Sequence, residues 1–206
     1  MEQLNLWLFL TTSLVINAVP GPDVLYVISN HKYKGWPAAL PSIAGLFAGY
    51  LFHVLITYIG VSAIIAGNPI LFSAVKYLGS AYLIWMGVNI IIEVLKKHKK
   101  VTVDDEIDVD VNKSTVKYFS RGFIISALNP KVSIFFLSFL PQFIPKQEAD
   151  SYLIIILGLI FCIGATLFNL LYCMLSSINY KGKVKYKIFD FLPGIILASV
   201  GVYTAF

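Results

Sequence analysis

The stretch WPAALPSIAGLFAGYLFHVLITYIGVSAIIAGNPILFSAV, residues 36–75, holds no Asp, Glu, Lys or Arg. A helix needs about 20 apolar residues to cross the hydrocarbon core of a bilayer, so this run contains one whole span and the start of another. Outward from it the pattern recurs. Leu4–Ile28 is broken by a single charge, Asp23, and Ile70–Leu95 carries Lys76 and Glu93 near its ends. Phe119–Ile144 contains Arg121 and Lys131, Tyr152–Ile178 is uncharged, and Ile188–Phe206 runs to the end of the chain. The fold class is therefore an all-α integral membrane protein of about six transmembrane helices. Residues 1–95 supply helices 1–3, residues 96–118 a polar cytoplasmic loop, and residues 119–206 helices 4–6, all in one membrane domain.

Composition leads to the same class. Of 206 residues, 58% are hydrophobic and 13% charged, against roughly 25% charged in soluble domains. The mean hydropathy is +0.78. A water-soluble chain of this length has no interior large enough for so much apolar surface, whereas lipid solvates it.

The net charge of +5 does not signal nucleic acid, because the basic residues sit in short loops. Lys32 and Lys34 follow the first span, Lys96 to Lys117 the third, and Lys181 to Lys187 the fifth. Cytoplasmic loops carry this excess, which places those loops inside and both termini outside. The start, Met1-Glu2-Gln3, has no basic n-region, so the first block reads as a retained helix. The acidic run Asp104–Asp110 lacks the central Gly and closing Glu of a calcium loop and reads as a solvated linker.

Two spans are interrupted by proline. Span 1 breaks at Pro20-Gly21-Pro22-Asp23, and span 4 at Asn129-Pro130-Lys131. Proline removes an N–H, and a freed carbonyl in lipid costs several kcal/mol unless something meets it. Such breaks are tolerated where they line a wet cavity or meet a polar ligand. With three helices per half, spans 1–3 and 4–6 would run in opposite directions, as in inverted-repeat transporters, and each break falls in the first span of its half. Asn129 suits an N-cap and Pro130 the first helical position. Lys131 lies about 12 residues into its span, roughly 18 Å deep. Placing a lysine there costs about 2.5–3.5 kcal/mol, which marks it as a functional candidate.

These residues form a candidate dipolar site. Asp23 would hold an ammonium or a coupling proton, and Lys131 with the Asn129 helix end would hold a carboxylate. Pro20, Gly21, Pro22 and Asn17 would line the site. A plainer reading also fits each charge alone: Asp23 as a helix cap and Lys131 as a snorkelling side chain. His53, in span 2, is a second proton-carrier candidate, although a lone histidine also serves as a bundle hydrogen-bonder. Gly45 and Gly49 form a GxxxG suited to close helix packing, within one chain or between copies in a homo-oligomer.

Several motifs in order resemble the LysE/RhtB family of amino-acid exporters. They are Pro20-Gly21-Pro22-Asp23, Gly45-x-x-x-Gly49, Tyr77-Leu78-Gly79-Ser80-Ala81-Tyr82-Leu83 through Gly87, and Gly122 through Asn129-Pro130-Lys131 to Phe135-Phe136 and Pro141-Gln142-Phe143. One departure is Trp36-Pro37 after Gly35, where family members usually carry a basic residue. The resemblance implies a secondary transporter of the plasma or inner membrane, not an enzyme, that needs no cofactor and exports amino acids or related zwitterions from the cytoplasm on the proton gradient. Two rivals have less support. A metal-ion exporter would want a His/Cys/Asp cluster, and the three histidines are scattered. A thiol–disulfide oxidoreductase would want cysteines on different helices, and Cys162 and Cys173 share one, about 16 Å apart along its axis.

Overall fold

The computed structural model describes residues 6–67, 69–96, 115–144, 152–176 and 191–205. Every regular element among them is helical: α1 (Leu6–Ala18), α2 (Pro22–Lys34), α3 (Trp36–Gly67), α4 (Pro69–Lys96), α5 (Thr115–Ala127), α6 (Pro130–Ile134), α7 (Leu153–Ser176) and α8 (Leu192–Ala205). A π turn, Phe135–Phe139, and a 3-10 turn, Leu140–Phe143, continue α6.

Proline and glycine punctuate the chain. Pro22 and Pro130 each open a helix at a position where the missing N–H is not needed and the fixed φ is already helical. Gly35 joins α2 to α3 in a single residue. Its φ of 68° is the left-handed turn that side chains resist, and its N–H closes the end of α2 on the His31 carbonyl at 2.8 Å.

The core is largely apolar, yet apolar residues also cover the outside and several polar and charged ones are buried. Leu14, Leu55, Leu78, Ile163 and Leu167 are exposed, while Asn17, Asp23, Thr57, Lys131 and Asn169 are buried. Lipid accounts for the first group and a polar interior for the second. Two helices, α3 and α7, are each long and apolar enough to cross a membrane. The pairs α1/α2 and α5/α6 bend by 47° and 48° at their breaks, and counting each pair as one span gives up to four. The expectation of about six rested also on α4 and α8. These contain shorter apolar stretches, Tyr77–Ile92 and Gly194–Tyr203. The reason is local: charges stand near both ends of α4, and α8 is only 14 residues long.

Both edges of the 96–118 stretch are helical. Helix α4 includes Lys96 and α5 begins at Thr115. The first turn of α5 is anchored because Tyr118 is buried and its carbonyl accepts the Tyr26 hydroxyl at 2.9 Å. Residues 97–114, with the acidic run and His98, lie outside the described residues, as do Met1–Asn5 and the basic segment 177–190.

Close packing runs through glycine. Helix α3 packs chiefly on α5, and α4 on α8. Gly45 faces the backbone of Phe119 and Gly49 faces Ser126, so within this chain the GxxxG meets α5. Gly87 and Gly194 face each other's carbonyls across α4 and α8. An added methyl at Gly45 must push two helices apart, at about 1–3 kcal/mol. Gly45→Ala is therefore expected to lower the thermal midpoint in detergent. At Gly60 a new Cβ meets nothing within 4 Å, so Gly60→Ala should leave the midpoint unchanged or slightly raised.

Candidate functional site

Each break leaves a predictable carbonyl without its helical donor. In an α-helix the C=O of residue i bonds the N–H of residue i+4. Pro22 has no N–H for Ala18, and Pro130 has none for Ser126. The Tyr172 hydroxyl, from α7, donates to the Ala18 carbonyl. The His53 Nε2, from α3, lies 3.0 Å from the Ser126 carbonyl. A carbonyl only accepts, so Nε2 carries the hydrogen. Thus Tyr172 meets a carbonyl that the first break leaves open, and His53 adds a second bond to one that already accepts the Asn129 N–H at 3.0 Å.

The π turn opens another carbonyl. The Leu140 N–H bonds the Phe135 carbonyl, one residue earlier than an α-helix would use. That shift leaves the Phe136 carbonyl free, and Thr57 Oγ1 reaches it at 3.4 Å. Tyr50, His53 and Thr57 are spaced i, i+3, i+7 and so form one polar stripe on α3.

Between the two breaks lie the two buried charges. Lys131 Nζ is 3.6 Å from Asp23 Oδ1 and donates to the Val19 carbonyl at 2.9 Å. A charge-assisted N–H···O bond is about 2.7–2.9 Å long, so the carboxylate contact is an ion pair and the carbonyl takes the bond. Asp23 and Lys131 are 4% and 7% exposed, which removes both from bulk solvent. The other carboxylate oxygen, Oδ2, accepts the Tyr50 hydroxyl at 3.0 Å, and Asn169 Nδ2 donates to that hydroxyl at 3.1 Å. Gly21 lies against the pair: a Cβ there would stand 2.7 Å from Asp23 Oδ1 and 3.2 Å from Lys131 Nζ. Only a residue without a side chain lets the backbone come this near.

Asn129 caps α6 through Oδ1, which accepts the Lys131 N–H at 3.0 Å. That bond fixes the amide's orientation and leaves Nδ2 as a buried donor with no partner. Asn17 donates to the Phe161 carbonyl at 3.2 Å, so it ties α1 to α7. His53 serves Ser126 and stacks on Phe136 with ring centroids 5.8 Å apart. The structure thus brings Asp23, Lys131 and Gly21 together and gives Asn17 and His53 partners of their own. Tyr50 and Tyr172 were absent from the sequence expectations. Tyr172 answers the donor that the first proline break demands, and Tyr50 the donor that a buried Asp23 carboxylate demands.

Among the described residues no group of three His, Cys, Asp or Glu side chains converges as a metal site. Cys162 and Cys173 are both free and buried.

The LysE type translocator family matches residues 14–206, a range that takes in both breaks and every residue of the cluster. The chain belongs to this family. As a LysE type translocator it is a membrane transporter and not an enzyme. It is 30% identical over 180 residues to the leucine efflux protein of Salmonella typhimurium, covering 87% of this chain and 79% of that one. The leucine efflux protein of Salmonella typhi matches with the same figures. The uncharacterized membrane protein YrhP of Bacillus subtilis is 31% identical over 215 residues, covering 99% of each chain. No solved structure matches the chain at a significant level.

In this LysE type translocator, Tyr172→Phe strands the Ala18 carbonyl. An unsatisfied buried group costs about 1–3 kcal/mol, so the detergent thermal midpoint should fall measurably. Tyr33 is 70% exposed, and Tyr33→Phe should leave the midpoint unchanged. Equal midpoints for the two variants would contradict the assigned bond.

Proposed function

We propose that the protein exports amino acids, or zwitterions of similar size, from the cytoplasm across the inner membrane. The observation that carries this reading is the buried Asp23–Lys131 pair, set where two broken helices meet. A zwitterion has one ammonium and one carboxylate. Entering between Asp23 and Lys131, it replaces one internal ion pair with two, and the count of unpaired buried charges stays at zero. That matters because a lone buried charge costs several kcal/mol. A neutral solute would part the pair and leave both charges bare, and a simple cation or anion would leave one. The names of the Salmonella relatives make leucine a reasonable first substrate.

The surrounding architecture is that of alternating access. The bent pairs α1/α2 and α5/α6 serve as spans 1 and 4, with α3, α4, α7 and α8 as spans 2, 3, 5 and 6. Spans 1–3 and 4–6 then form inverted halves. The near-equal bends of 47° and 48°, and the crossed donors Tyr172 and His53, support this reading. Lysine-rich connections lie in the cytoplasm and both termini outside. One half rocks against the other, and the pair faces each side of the membrane in turn. Asp23 is the group that exchanges substrate ammonium for an inward-moving proton, which couples export to the proton gradient.

The test is leucine efflux from preloaded proteoliposomes with an imposed proton gradient, with and without uncoupler. The wild-type protein should release leucine on the gradient, and the uncoupler should abolish the acceleration. Asp23→Asn should lose at least about tenfold in gradient-dependent efflux, equivalent to 1.4 kcal/mol or more. Full gradient-dependent efflux by Asp23→Asn would overturn the role given to that carboxylate.

A further inference from the structure

Lys131 does something in this conformation that a carboxylate-binding lysine need not do: it occupies the place of an ammonium. Its Nζ donates to the Val19 carbonyl at 2.9 Å and lies 3.6 Å from Asp23 Oδ1. That oxygen has no hydrogen-bond partner at all. Val19 lies in the break itself, beyond the last residue of α1, so its carbonyl points out of the helical ladder. A carbonyl at a helix C-terminus and a carboxylate together form a cation site, suited in chemistry to a primary ammonium. The subsite is compact because Gly21 offers no Cβ: one would come 3.4 Å from Lys131 Cε as well as crowding both charged ends.

We infer that the Asp23 carboxylate and the Val19 carbonyl form a subsite for a primary ammonium, and that Lys131 is a tethered ammonium which fills it when no substrate is bound. The inference rests on the proposed amino-acid site and adds a selection rule to it. A substrate ammonium enters only by displacing Lys131. Once displaced, Lys131 is a buried cation that needs a new anion. A zwitterion brings that anion within the same molecule. Asn129 Nδ2, a buried donor without a partner two residues before Lys131, helps to receive it. A simple alkylamine brings no anion, so it must compete with Lys131 and then leave it unpaired. A simple carboxylic acid does not displace Lys131 at all. The lysine therefore rejects half-substrates of both kinds, and it does so as an internal competitor rather than as a contact alone.

Removing the competitor makes a prediction of opposite sign for two ligands. Apparent affinity falls by the fraction of time a site is unavailable. In Lys131→Met the ammonium subsite is always free, so 3-methylbutylamine should bind about tenfold or more tighter than to wild type. Leucine, having lost its carboxylate partner, should bind more weakly. The measurement is calorimetric titration of leucine, 3-methylbutylamine and 4-methylpentanoate into the wild-type protein and Lys131→Met, both in lipid nanodiscs. In wild type, leucine should bind more tightly than either half-molecule. Should both leucine and the amine weaken in Lys131→Met, or neither change, the tethered-ammonium role is overturned and Lys131 is a contact only. If the variant does not fold, the wild-type titrations decide: 4-methylpentanoate binding more tightly than the amine would overturn the inference, and the reverse order supports it. Wild-type protein that binds no amino acid in a screen of the common set would instead remove the underlying reading.

Discussion

A proline inside a membrane helix creates a debt at one known atom. The carbonyl four residues earlier has lost its donor, and in a hydrocarbon environment no water arrives to replace it. In this protein the atoms are the Ala18 carbonyl, met by Tyr172, and the Ser126 carbonyl, met by the Asn129 N–H and by His53. Neither side-chain donor belongs to the half of the chain that contains its acceptor. The first break therefore takes its missing bond from α7, and the second gains a further one from α3. Glycines set against backbone at Gly45, Gly87 and Gly194 let the helices come close enough for side chains to span the gap.

The electrostatics follow from the same geometry. Breaking α1 frees the Val19 carbonyl, and opening α2 at Pro22 places Asp23 in its first turn, where a negative charge is favoured. Opening α6 at Pro130 places Lys131 one residue later, across from both. Two charges that would each be expensive in lipid thus offset one another. Their contact of 3.6 Å is longer than a charge-assisted hydrogen bond, so the pair is close without being locked. Tyr50 and Asn169 hold the far side of the carboxylate, which leaves the near side to Lys131. An arrangement of this kind is stable when closed and can still open to a ligand that carries both charges.

Much of this was legible before any coordinates. The charge-free run from Trp36 to Val75 required a bilayer, and the two proline motifs located the breaks that bring Asp23 and Lys131 together. What the sequence left out has a common physical cause. Periodicity reports which residues prefer lipid, and it says little about polar groups that point inward. Tyr50 and Tyr172 look like ordinary aromatic residues of apolar spans, yet each donates to a group at or beside the first break. His53, a proton-carrier candidate by sequence, bonds the Ser126 carbonyl, a partner that periodicity does not reveal. The six-span count leans on α4 and α8, whose apolar stretches are the shorter ones. The 14 residues of α8 and the charges flanking the apolar part of α4 make those two spans the least apparent from length and hydropathy.

The central claim is that a direct Asp23–Lys131 ion pair exists in the membrane and that substrate parts it. Solid-state NMR on protein reconstituted in bilayers measures this without mutation, through the dipolar coupling between 13C of the Asp23 carboxyl and 15N of Lys131 Nζ. The account predicts a strong coupling in the unloaded protein, as the 3.6 Å contact requires, and its marked loss when leucine saturates the site. No coupling in the unloaded protein, or an undiminished one with substrate bound, would contradict it.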